Sequence, residues 1–142
     1  MMKTIAVVLC VLAGLMVSGC EHLDTSSTTL GDRVLEGVVT TASGGGPLPE
    51  GSEVWIQVVD RGDGVGRAEV LGEETIKNPE RMPVPFRIEF RAEDPVLRGN
   101  VEVEARISIR GRLTFMTKTA HPVTQANVDD LVTVIVEVPS ER

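Results

Sequence analysis

The sequence predicts an all-β protein: a single two-sheet antiparallel β-sandwich, immunoglobulin- or transthyretin-like, with about seven strands behind a signal peptide and a flexible tether. Three observations carry this expectation. Apolar and polar residues alternate at period two in several separate runs, the pattern of strands with one face buried and one wet. No stripe at spacings of three and four persists for three helical turns. Clusters of Gly, Pro, Asn and Asp punctuate the runs at sandwich-like spacing. The 142 residues are enough for one core and too few for two.

The chain opens with Lys3 followed by the apolar run from Ile5 to Val17 and then Ser18-Gly19-Cys20. One cation before a short apolar stretch has the layout of a secretory signal peptide. As a helix the thirteen-residue run would be roughly 20 Å long, short of the ~30 Å hydrocarbon core of a bilayer. Val17, Ser18, Gly19 and Cys20 match a bacterial lipobox, in which small residues admit the peptidase and the Cys20 thiol takes a diacylglyceryl thioether. Residues 1–19 are therefore expected to be removed and Cys20 to become the acylated first residue. At ~0.8 kcal/mol per buried CH₂, two or more acyl chains hold firmly where one is marginal. Glu21 follows the cysteine in place of the Asp associated with inner-membrane retention, which points to the outer membrane. The other cysteine, Cys10, lies in the removed segment, so the mature chain has no free thiol in an oxidising periplasm.

Residues 20–32 read as the lipidated cysteine and its tether. Asp24-Thr25-Ser26-Ser27-Thr28-Thr29 is polar and without apolar period. Twelve such residues span about 40 Å when extended. The folded domain is expected over 33–139, with 140–142 as a tail. Its strands are expected at about 33–41, 52–60, 68–77, 84–91, 101–110, 112–119 and 131–138. Val54, Ile56 and Val58 alternate with Glu53, Trp55, Gln57 and Val59. Phe86, Ile88 and Phe90 alternate with Arg87, Glu89 and Arg91, and Val101 to Ile109 with Glu102 to Arg110. Gly72 interrupts the third strand, Gly111 marks a tight hairpin, and Asp94 to Leu97 suits one helical turn. The expected core holds Val54, Ile56, Val58, Phe86, Ile88, Val103, Ile107, Phe115, Val134 and Val136.

An ordered series of short motifs over about 34–138 resembles the YbaY/YscW-like bacterial lipoproteins, which include pilot lipoproteins of type III secretion. The pieces are Leu48-Pro49 before Gly51-Ser52, the strand from Val54 to Asp60, and Pro83-Val84-Pro85-Phe86. Ala105-Arg106-Ile107, Gly111-Arg112-Leu113-Thr114-Phe115 and Pro122-Val123 complete it. The chain departs from the family in having His121 before that last Pro-Val, and Val101 at a strand start, where relatives tend to carry Tyr. The resemblance implies a β-sandwich lipoprotein at the outer membrane and brings no catalytic residues.

The net charge of −7 argues against nucleic acid, whose phosphates need clustered cations. Zinc is disfavoured, because His22 and His121 with no unlipidated Cys cannot furnish about four ligands. The same scarcity removes nucleophile–base pairs, since only His121 in the fold could act as an imidazole base. Asp60-Arg61-Gly62-Asp63-Gly64 fails the EF-hand pattern, with Gly62, Gly64 and Leu71 at the positions that need oxygen ligands. Its Arg61-Gly62-Asp63 also resembles an integrin-recognition tripeptide, but a glycine turn is the simpler account. No amphipathic helix follows Gly62, Gly64 and Gly66, so a phosphate loop is rejected. Glu73-Glu74, Glu93-Asp94 and Asp129-Asp130 are adjacent pairs suited to solvated positions rather than to a glycosidase cleft. Arg87, Arg91, Arg106, Arg110 and Arg112 suit cross-strand ion pairs, or else an Arg-lined surface for an acidic peptide.

Trp55 is the most informative side chain. It either closes the end of the core or stands exposed as an aromatic anchor, with Val59 beside it as a candidate partner-binding platform. The expectation is a non-catalytic lipoprotein of the outer membrane, facing the periplasm, with no cofactor beyond the covalent lipid on Cys20. Its partners are the membrane, through the anchor, and an envelope protein or secretin segment. The alternative is a hydrolase or small-ligand-binding lipoprotein with an unrecognised pocket.

Overall fold

The computed structural model describes residues 32–140. The expected signal peptide at 1–19, the lipobox Val17, Ser18 and Gly19, the lipidated Cys20 and the tether up to residue 31 lie outside the described residues. Ten strands and one helical turn follow in order. They are β1 (Asp32–Thr41), β2 (Gly46–Pro47), β3 (Ser52–Asp60), β4 (Glu69–Lys77), β5 (Arg81–Met82), β6 (Val84–Arg91), α1 (Asp94–Leu97), β7 (Val101–Ile109), β8 (Arg112–Thr117), β9 (His121–Pro122) and β10 (Val132–Glu137). The seven long strands fall where period two predicts them, and the single turn of helix is at Asp94–Leu97. The two-residue strands β2, β5 and β9 are too short to leave an alternation.

The two-sheet arrangement is corrected by the strand order. One hydrogen-bonded path runs β4-β3-β7-β8-β10-β1-β6, with β9 joined to β7, and among the described residues the only other pairing is the short β2–β5 bridge. The sheet therefore curls on itself in a nearly closed, barrel-like form. Nor is it wholly antiparallel: β1 and β10 run parallel, with Gly37 opposite Val132 and Thr41 opposite Val136. Irregularities between Val58 and Val59 and between Ile107 and Ser108 break the register of β3–β4 and β7–β8. Such bulges add local twist and bend, which is what a single sheet needs to roll up.

The roll closes where the two end strands meet. β4 and β6 pack together without a backbone ladder between them. A Cβ on Gly72 would lie 2.6 Å from the Glu89 carbonyl oxygen and 2.8 Å from Phe90 Cβ, so the missing side chain is what lets β4 approach. The interruption seen in the third strand is this seam. Two residues along, the Arg87 backbone N–H donates to Glu74 Oε2 at 2.8 Å, a carboxylate supplying the acceptor that a neighbouring strand would offer.

Inside the roll the inward faces of all the long strands meet. Leu35 and Val39 of β1, Ile56 of β3, Ile88 of β6, Ile107 of β7 and Val134 of β10 are almost fully buried in one cluster. Leu97 of α1 joins it, with Pro95 in the first turn of that helix. Nine of the ten expected core residues are buried; Phe115 is half-buried and packs on the cluster's margin.

Candidate partner-binding groove

The outward faces of β3, β7 and β8 carry the one feature suited to recognition at the expected Trp55–Val59 surface. On β3 the outward residues are Trp55, Gln57 and Val59, since Val54, Ile56 and Val58 are committed to the core. Antiparallel register sets Trp55 opposite Arg106, Gln57 opposite Glu104 and Val59 opposite Glu102. Arg106 in turn faces Met116 of β8. A groove of about 580 Å³ lies over Gln57, Val59 and Arg106, between the segment holding Arg61, Arg67 and Ala68 and the connector 118–120, with Trp55 beside it and outside its lining.

Local chemistry holds both sides in place. β8 and β9 pair with β7 as one interrupted strand, and residues 118–120 leave the ladder between them. Thr117 fills the gap: its Oγ1 accepts the Ala105 N–H at 2.9 Å and donates to the Ala105 carbonyl at 3.3 Å. His121 secures the far end of the connector, its Nε2 accepting the Ile135 N–H at 3.2 Å. Burial holds the His121 pKa below its ordinary 6.5, and an unprotonated Nε2 is what that hydrogen bond requires. On the other side, Arg61 bridges Glu102 at 3.3 Å and also pairs with Glu104, while Gln57 Nε2 donates to Glu104 Oε2 at 3.2 Å. The floor's carboxylates are thus spoken for by one guanidinium and one amide.

Trp55 is not a core plug. It sits half-buried on the outer face with the Arg106 guanidinium 5.0 Å from its ring centroid, within the range of a cation–π contact. Val59 faces the same way but is only 2% exposed, so it is groove floor rather than open platform. Arg67, Met116 and Thr117 carry no signal in the sequence that marks them as site residues, and Arg61 is there read only as part of a turn. Arg67 lies in an irregular segment with no period to orient it, and Met116 joins the groove only through the pairing of β7 with β8.

Several of the remaining candidates have structural partners. Asp60 Oδ1 accepts the Gly62 N–H at 2.7 Å, and Asp63 Oδ1 accepts the Val65 N–H at 3.0 Å, so these carboxylates shape their own turn. The Val65 and Gly66 amides hold the Asp63 carboxyl below the ordinary carboxylate range. Among the described residues no group of three or more His, Cys, Asp or Glu could hold a metal ion. Arg87 pairs with Glu36 at 3.3 Å and Glu89 at 2.7 Å, and Arg33 pairs with Asp94.

The domain is thus one curled sheet with an apolar interior and a groove on its outer face. The chain belongs to the family described as type III secretion system lipoprotein chaperone, YscW, whose match covers residues 32–134. Its fold is similar to that of a solved structure described as an alternative pilotin from the type II secretion system of Vibrio cholerae. The two are 18% identical with a TM-score of 0.65, over 78% of this chain and 99% of that one. At that identity the likeness shows the shared fold. No curated protein matches the chain.

Proposed function

We propose that the chain is a non-catalytic lipoprotein that escorts an envelope protein, and that the escorted protein is a secretin subunit held by its tail. The observation that carries this reading is the groove over β3, β7 and β8, a preformed surface on which Val70 and Met116 lie among charged and polar side chains. Membership of a secretion chaperone family supports it, as does the description of the similar pilotin. The lipid on Cys20, the tether 20–32 and the domain 33–139 then act in series. The anchor fixes the domain to the inner leaflet of the outer membrane, and the tether lets it search the periplasm within about 40 Å. Capture of a secretin tail raises the local concentration of subunits at the membrane without any new contact. Trp55 and Val59 belong to the surface that receives the tail.

The test is carried out in cells. Mass spectrometry of membrane-extracted protein should find acyl chains on Cys20, and secretin multimers should fractionate with the outer membrane. Cys20→Ala should send the secretin to the wrong membrane while the soluble domain still binds its tail. Correct secretin placement in a strain without this lipoprotein would remove the escort role.

A further inference from the structure

We infer that the side of the roll across from the groove is a second docking face, on which Leu131 and Val34 anchor a basic protein segment among the carboxylates of Glu36, Glu74 and Asp129. The inference is independent of the escort reading and of what the groove holds.

Strand order and register place this face. In the path β4-β3-β7-β8-β10-β1-β6, β1 and β6 lie across the roll from β3 and β7. Leu35 and Val39 commit one side of β1 to the core, which turns Val34, Glu36 and Val38 outward. Gly37 stands opposite Val132, so Leu131, the residue before β10, is set beside Glu36. Hollows of about 440 and 500 Å³ flank Leu131 and share Glu36 and Arg87. Val38 and Pro85 line the first, Val34 and Val128 the second. Leu131 is 80% exposed and Val34 37%. One exposed apolar side chain is ordinary, but two on one face around a pair of hollows mark an interaction surface.

The turn that carries Leu131 is held rigidly. Asn127 Oδ1 accepts the Thr124 N–H at 2.7 Å, and its Nδ2 donates to the Pro122 carbonyl at 2.9 Å. The Asp130 N–H donates to the Asn127 carbonyl at 3.0 Å, and Val128 is buried in the core cluster. An anchor fixed before binding loses little freedom on docking.

Charge names the partner. Glu36, Glu74 and Asp129 line the two hollows against Arg87 alone. Arg87 is shared further, between Glu36 at 3.3 Å and Glu89 at 2.7 Å. Glu74 accepts the Arg87 backbone N–H, a bond that leaves its charge uncancelled. The Asp129 carboxylate makes no hydrogen bond or ion pair among the described residues. Spare carboxylates around an apolar centre complement Lys or Arg flanking an apolar residue. Anionic lipid is excluded from such a face by like-charge repulsion.

The test uses the full lipidated protein in uncharged nanodiscs, with empty discs as the blank, and short labelled peptides. One sets leucines among lysines, the second the same leucines among glutamates, and the third serines among the lysines. The Leu/Lys peptide should bind at least about fivefold tighter than either other, weaken as salt rises, and shift the amide resonances of Glu36, Asp129 and Leu131. Leu131→Ser and Asp129→Lys should each cost about fivefold or more. Val65→Ser, a comparable change at a 90% exposed valine between β3 and β4, should leave binding unchanged. Circular dichroism should show all three variants folded.

Equal affinity for the three peptides, binding of none, resonance shifts confined to the groove, or equal losses from Leu131→Ser and Val65→Ser would overturn the inference. So would sedimentation in which the wild type dimerises and Leu131→Ser does not, because the face would then belong to a second copy of the chain. None of these results bears on the escort reading, which is decided by secretin placement in cells.

Discussion

Replacing Gly72 by alanine adds one methyl group at the place where the edges of the sheet meet. The added Cβ would stand 2.6 Å from the Glu89 carbonyl oxygen, 2.8 Å from Phe90 Cβ and 3.0 Å from Ile88 Cγ2. Carbon contacts are comfortable at about 3.5–4.0 Å, so β4 and β6 must part by roughly 1 Å. Two of the obstructing atoms belong to the backbone or sit next to it, and neither can swing aside as a flexible side-chain end would. Elementary propensity predicts the opposite sign, because Gly→Ala in a strand interior ordinarily stabilises by about 0.5–1 kcal/mol. Overpacking costs about 1–3 kcal/mol, and parting the strands also strains the Glu74 bond to the Arg87 amide. The net expectation is a loss of about 1–2 kcal/mol, a fall in Tm of roughly 5–15 °C for a domain of this size. Gly66→Ala, where a Cβ meets nothing within 4 Å, is the matched control and should stay within about 0.5 kcal/mol of wild type. Urea and thermal melts followed by circular dichroism read both. A Gly72→Ala protein as stable as wild type, or more so, would refute the packed seam and with it the nearly closed sheet.

Three further outcomes are expected. Because burial sets the folded-state pKa of His121 below 6.5, stability should be full above that value and fall as pH drops through it toward the lower folded pKa; His121→Ala should cost about 1 kcal/mol at neutral pH, through the lost Ile135 bond, and flatten that dependence in urea titrations. Thr117→Val should cost about 1–3 kcal/mol, since the Ala105 N–H and carbonyl lose their shared partner, and faster amide exchange at Ala105 should report it. Val134→Ala should cost about 1–3 kcal/mol in chemical denaturation, Val134 being fully buried in the core cluster.

Much of the fold was legible because strand periodicity is local. A residue on a pleated strand faces the core or solvent according to its neighbours one and two positions away, so Val54, Ile56 and Val58 declare their face without reference to any other strand. The turns at Gly111 and around Asn78-Pro79 were equally local. The family was legible too, through motifs that survive as short words in order. Trp55 was half legible: its side of β3 follows from alternation, but whether anything covers that side does not. Its partner, Arg106, lies 51 positions away and is set against it only by the β3–β7 register.

Period two and turn chemistry thus determined the seven long strands, the helical turn and most of the inward residues, and the apolar leader set the expectation of a lipid on Cys20. Tertiary structure alone decided that one sheet curls where two were expected, that β1 pairs parallel with β10, and that Gly72 is a contact point instead of a flaw. It also decided that Arg67, Arg106 and Met116 share a groove. The physical reason is common to all of these. Alternation records which face of a strand is dry, and it is blind to what makes it dry, because burial against a second sheet and burial inside one curled sheet remove the same water from the same side chains.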